Sequence, residues 1–228
     1  MALKLVIGNK NYSSWSLRPW IAMKVAGIAF EEVLIPLHAP DTQEKILGFS
    51  PAGKVPILVD GDIRVWESLS ILEYLADKFP DRKLWPQDAA ARAQARSIAS
   101  EMHAGFAPLR QACPMNMRRP EQLLALDAET KANVTRIDAI WTECRGRFGE
   151  KAGNGGPFLF GTFGAADAMY APVVSRFHTY GVGVSQTARE YMRAMMALPA
   201  WKEWVAAGTK EPWVLQEDEL DWPDVATV

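Results

Sequence analysis

The stretch Tyr12-Ser13-Ser14-Trp15-Ser16 sets three serine hydroxyls around one aromatic ring, after a short apolar run and at the start of a helical pattern. A helix N-terminus presents unpaired N–H groups and a partial positive charge. Hydroxyls there either cap the helix or join the N–H groups in stabilising a bound anion such as a thiolate. Further on, Gly53-Lys54-Val55-Pro56-Ile57-Leu58 puts a Val-Pro step at the entry to a strand. Such a step is a candidate cis peptide; a trans proline at a strand edge is the plainer alternative. In either form, Val55 has a backbone N–H and C=O to offer an extended peptide by strand addition. A third pair, Glu67-Ser68, closes a strand and opens a helix. A carboxylate beside a hydroxyl and helix N–H groups matches the ammonium and carboxylate of an amino-acid head group. A simple cap with an acidic neighbour would use the same residues.

The elements that must position these groups alternate in the first third. Leu3–Gly8 reads as a buried strand and Ser16–Ala26 as a helix, with Leu17, Trp20, Ile21 and Val25 at helical spacing and Gly27 as a stop. Phe30–Pro36 is β-rich, Pro56–Val59 and Ile63–Trp66 are short strands joined through Asp60-Gly61, and Ser68–Lys78 is an amphipathic helix closed by Pro80. The order β-α-β-loop-β-β-α is too short for a doubly wound nucleotide fold, and no glycine-rich phosphate loop opens the first helix. Phe79–Pro86, with two prolines, reads as a linker. Beyond it the pattern is helical: Ala89–Phe106, then Glu121–Phe148 with Leu123, Leu124, Leu126, Val134, Ile137, Ile140 and Trp141 as core positions, a glycine-rich loop at Lys151–Gly156, then Ala165–Phe177 and Glu190–Ala207. The expected division is 1–80 and 88–228.

Composition narrows the function classes. The chain has 228 residues, 49% of them hydrophobic, which suffices for a sizeable core. A formal net charge of −2 and the lack of a basic stretch argue against nucleic acid as a partner. Cys113 and Cys144 form no CxxC pair, and His38, His103 and His178 show no ligand spacing, so neither a disulfide framework nor a metal site is expected. No run of about 20 apolar residues suggests a membrane span, and the apolar start is too short for a signal peptide. The expectation is a cytoplasmic protein.

The ordered set of Ser-Ser-x-Ser-x-Arg after the first strand, Gly-Lys-Val-Pro-Ile-Leu near residue 55, and Glu-Ser before an Ile-Leu-Glu-Tyr-Leu helix resembles the glutathione transferase superfamily. The resemblance implies an α/β thioredoxin-like N-terminal domain that binds glutathione and an all-α C-terminal domain carrying the cosubstrate pocket. It implies Ser13, five residues before Arg18, as the catalytic hydroxyl, with Ser14 as the alternative. It further implies Val55 and Pro56 at the cysteinyl part of glutathione, Glu67 and Ser68 at its γ-glutamyl end, Lys54 in contact with the tripeptide, and His38 at the glycyl carboxylate. Glutathione is then a cosubstrate, no other cofactor is called for, and a homodimer is expected.

Two departures qualify the resemblance. The zeta class, the maleylacetoacetate isomerases, is similar through its Ser-Ser-Cys loop, but Trp15 stands where the cysteine would be. The usual Ser or Thr helix cap three residues before Asp167 is Gly164 here, a change of only a few tenths of a kcal/mol. The implied reaction is attack of a glutathione thiolate on a hydrophobic electrophile. The alternatives are a glutathione-dependent isomerase, in which Arg176 serves a substrate carboxylate, a peroxidase, or a non-catalytic interaction module. Trp15, Met102, Phe106, Arg110 and Tyr170 are candidates for the cosubstrate wall.

Overall fold

The computed structural model describes residues 2–149 and 155–220. Most of the glycine-rich loop expected at Lys151–Gly156, and the chain beyond residue 220, lie outside the described residues. The chain opens with β1 (Leu3–Ile7), α1 (Ser14–Val25), β2 (Phe30–Leu34), α2 (Thr42–Leu47), β3 (Ile57–Asp60), β4 (Ile63–Trp66) and α3 (Ser68–Lys78). The strands form one mixed sheet in the order β2-β1-β3-β4, with β1 parallel to β2 and antiparallel to β3. β3 and β4 pair from Asp60↔Ile63 outward, a hairpin whose turn is opened by Gly61 at φ +58. A positive φ is open to glycine without steric penalty.

The rest is helical: α4 (Ala89–Ala104), α5 (Ala107–Ala112), α6 (Ala128–Phe148), α7 (Ala165–Thr179), α8 (Gln186–Ala197) and α9 (Pro199–Gly208). The architecture is thus the one that the sequence patterns imply, a small mixed-sheet unit followed by a helical one. Among the described residues, no helix is long and apolar enough to cross a membrane.

Two boundaries and one burial correct the sequence reading. The helix expected from Glu121 starts at Ala128, capped by Asp127, whose carboxylate accepts the Thr130 N–H at 2.7 Å. Leu123 is 78% exposed rather than in the core. The single helix expected over Glu190–Ala207 is two, because Pro199 has no N–H to continue the ladder and instead starts α9.

The core is continuous across the two parts. Leu5, Ile7, Leu17 and Trp20 from the first belong to the same buried cluster as Ile98, Met169, Tyr170 and Trp204 from the second. The expected linker takes part: Leu84 and Trp85 are buried, and the Leu84 carbonyl accepts the Ala165 N–H at 2.8 Å. Pro172 sits inside α7, and buried residues line that helix on nearly every side.

Candidate functional site

A cavity of about 780 Å³ lies where the first loop, the β2–α2 loop, residues 53–55, α5, Arg176 and the C-terminal segment meet. Ser13 and Ser14 both line it. Their hydroxyls have different duties. The Ser13 hydroxyl donates to Ser16 Oγ at 2.8 Å and, as the cap of α1, accepts the Ser16 N–H at 3.4 Å. Ser16 Oγ also accepts the Gly8 N–H at 3.0 Å, which ties the end of β1 to the start of α1. The Ser14 side chain makes no hydrogen bond among the described residues.

Lys54 and Val55 line this cavity and also a smaller one shared with Trp15, Pro56, Trp66 and Glu67. The two cavities share Trp15, Lys54 and Val55 as a common wall, with His38 and the serines lining the larger and Glu67 the smaller. The Val55–Pro56 peptide is cis. Glu67 holds a left-handed φ of +66, which turns the chain out of β4 and into α3. His103 of α4 stands 3.5 Å from the Glu67 carboxylate, and burial holds its imidazole below the usual value.

Ser68 is placed differently from the expectation. It is fully buried, accepts from Arg18 Nη1 at 3.3 Å and donates to the Met169 sulfur at 3.9 Å. It lines neither cavity, so its hydroxyl belongs to the interface between the two parts. Of the expected cosubstrate wall, Trp15 and Arg110 line the main cavity, whereas Met102, Phe106 and Tyr170 are core.

Two arginines contribute to the cavity lining. Arg110 and Arg176 both face the cavity. Arg176 is held from behind by the carbonyls of Cys113 and Arg110, the latter at 3.0 Å, and burial lowers its pKa to about 10. Arg18 lies below, fully buried, lowered to about 9 by desolvation and then by Arg176 and Arg110. Its guanidinium is 4.2 Å from the centre of the Trp15 ring, and that of Arg110 is 5.6 Å away. Cation–π contacts of this kind offset part of the missing counter-charge. Among the described residues, no group of three or more His, Cys, Asp or Glu side chains could hold a metal ion.

Sequence reasoning missed the C-terminal segment. Leu215, Glu217 and Asp218 line the cavity. Glu217 Oε1 is 2.6 Å from His38 Nε2, so the histidine expected to meet a ligand carboxylate already meets one from the chain. Tyr12 Oη accepts from Arg118 at 2.5 Å and donates to Glu219 at 2.6 Å. Burial and then that carboxylate raise the Tyr12 pKa, so the phenol stays protonated. The acidic run Glu217-Asp218-Glu219 was the available signal, but nothing in it indicated a partner some 180 residues away.

Residues 12–78 match the model of the glutathione S-transferase N-terminal domain, and residues 126–207 that of the glutathione S-transferase C-terminal domain. A probable maleylacetoacetate isomerase from Caenorhabditis elegans is 38% identical over 98 residues, covering 42% of this chain and 45% of that protein. The chain thus spans about half the length of this relative. The maleylacetoacetate isomerase of Rattus norvegicus is 28% identical over 198 residues, 83% of this chain and 87% of the relative. Among solved structures, a glutathione transferase homolog from Burkholderia with bound glutathione superposes with a TM-score of 0.66 at 20% identity, covering 91% of this chain and 98% of that one. At that identity the likeness shows the fold.

Proposed function

We propose, for a chain that belongs to the glutathione S-transferase superfamily, that it binds glutathione across these two cavities, from Glu67 past Val55 to His38, and activates its thiol at the first turn of α1. The observation that carries this reading is the pair of cavities that share Trp15, Lys54 and Val55. The groups along them are a carboxylate for an ammonium, the Val55 backbone just ahead of β3 for a peptide, serine hydroxyls at a helix N-terminus for a sulfur, and an imidazole for a carboxylate. That is the order of groups along the tripeptide.

A free thiol with a pKa near 8.5 is only a few per cent ionised at neutral pH. Donation from a serine hydroxyl, together with the positive end of the α1 dipole, stabilises the anion. A lowering of about two units, roughly 2.7 kcal/mol, makes the thiolate the main form. The thiol proton leaves to solvent through the open mouth of the cavity, and the sulfur lone pair then attacks an electrophilic carbon lodged toward Trp15 and α5. Ser13 is the preferred donor. Its hydroxyl now donates to the neutral Ser16 oxygen, and an arriving thiolate is the better acceptor, since charge-assisted bonds are about twice as strong.

A second reading has its own support. Arg110 and Arg176 give the acceptor end of the cavity two positive charges, which suits an electrophile bearing a carboxylate better than a wholly apolar one. This favours the glutathione-dependent isomerase alternative, and two of the relatives are named as isomerases. We also expect a cytoplasmic homodimer; Ile63 and Trp66 of β4, about half exposed, are apolar surface that a second copy could cover.

Calorimetric titration with glutathione tests the site. Saturable binding that Glu67→Ala abolishes supports it, and silence in the wild type points to an interaction module instead. Turnover of a maleyl compound against that of a halogenated aromatic then separates the two enzymatic readings.

A further inference from the structure

Glu217 and Asp218, adjacent in the C-terminal segment, both face the main cavity. Glu217 is paired with His38. Asp218 and Arg176 line the same cavity; burial raises the Asp218 pKa to about 6, and the Arg176 charge opposes that rise. The segment has other anchors on both sides of this pair. On one side, the Glu211 carboxylate accepts the Lys10 and Asn11 N–H groups at 2.7 and 3.0 Å, and Arg118 donates to the carbonyls of Glu211 and Trp213 at 2.8 Å each. On the other, Glu219 accepts from Tyr12 at 2.6 Å and from Asn116 at 2.9 Å, and the Leu220 carbonyl accepts from Arg119 at 3.2 Å. Between these anchors lies a single 3-10 turn, Gln216–Asp218.

We propose that Glu217 and Asp218 are built-in anions that hold, in the free protein, the two positions to which ligands bring their own carboxylates. Glu217 holds the place of the glycyl carboxylate of glutathione at His38. Asp218 holds that of an acidic group on the acceptor at Arg176. This rests on the functional reading above and adds a selection rule to it. A carboxylate arriving at His38 while Glu217 remains meets a like charge a few ångströms away. The ligand therefore has to displace Glu217, and only a ligand with a carboxylate at that end gains the imidazole in exchange. Because the flanking anchors stay fixed, the displacement is confined to the turn. A ligand shifts such an equilibrium only by its difference in affinity for the two states, and an exposed ion pair is weak. The expected effect is therefore a tuning of affinity, about two- to five-fold at each position.

The test is calorimetry on the wild type, Glu217→Gln, His38→Gln and the double variant, titrated with glutathione and with its glycyl ethyl ester. Glu217→Gln should bind glutathione about two- to five-fold tighter and the ester no tighter, and the gain should vanish in the His38→Gln background. For the neighbouring position, Asp218→Asn should tighten S-carboxymethylglutathione relative to S-methylglutathione by a similar factor. Equal or weaker binding of glutathione by Glu217→Gln overturns the proposal for that position, and so does an equal gain with the ester. An unchanged preference in Asp218→Asn overturns it for the other. If wild type and variants alike ignore every one of these ligands, the functional reading has failed and this inference falls with it. If the wild type binds but Glu217→Gln is indistinguishable from it, only this inference has failed.

Discussion

Ser13 and Ser14 are one position apart, yet they make different predictions. Ser13→Ala removes a cap as well as a donor, so it should lower stability by about 0.5–2 kcal/mol and raise the pKa of bound glutathione. The first effect is read from a denaturant melt and the second from thiolate absorbance against pH. Ser14→Ala removes a hydroxyl that holds nothing, so its melt should stay within about 0.5 kcal/mol of wild type. A pKa raised in Ser14→Ala and unchanged in Ser13→Ala would assign the donor to Ser14. The pair, the Val55-Pro56 step and Glu67 were legible in the sequence because each depends on local chemistry at a strand or helix end. Ser68 was legible as a helix start, but the direction of its hydroxyl was not. That direction is set by Arg18 and Met169, which reach it from other elements.

At the scale of elements, the strands and the first and third helices could be read from apolar runs, the Asp60-Gly61 turn and the stops at Gly27 and Pro80. The short helix α2 gave too few turns for a periodic signal, and the α5 stretch carries a proline among its six residues. Leu123 misled because an apolar residue next to a helical pattern is read as core, whereas here the chain runs extended over the surface. Gly164 leaves α7 without a side-chain cap, while Asp167 keeps the reciprocal half of a capping box, its carboxylate accepting the N–H groups of Gly164 at 2.9 Å and Leu159 at 3.1 Å. Burial raises its pKa to about 7 from the ordinary 3.8. The folded state therefore keeps this proton where the unfolded state has lost it. The stability tied to that proton is full below about pH 4 and is lost as the pH rises through about 7. Asp167→Asn does not titrate, so the stability difference between wild type and variant should move in the variant's favour over that window, as measured by urea melts at several pH values.

At the scale of the whole molecule, the two parts behave as one body. α1 is buried against α7 and α9, and Trp20 meets Trp204 edge-on at 5.0 Å, with the Lys10 ammonium over both rings. A shared core of this kind should melt in a single transition, with tryptophan fluorescence and far-ultraviolet circular dichroism coinciding. Two separated transitions would show the parts to be independent. The sequence indicated two units from the change in composition at the linker, and it could not show that Leu84 and Trp85 stitch them together. The bond from Glu211 to the Lys10 and Asn11 amides has a bearing on how the protein is made. The loop that carries the serines leaves the ribosome early, while the carboxylate that fixes its backbone is translated about 200 residues later. At some 5–20 residues per second this interval is roughly 10–40 s. Throughout that time the nascent chain has its serine-bearing loop without the clamp that shapes it, so the loop takes its final form only once Glu211 has been made.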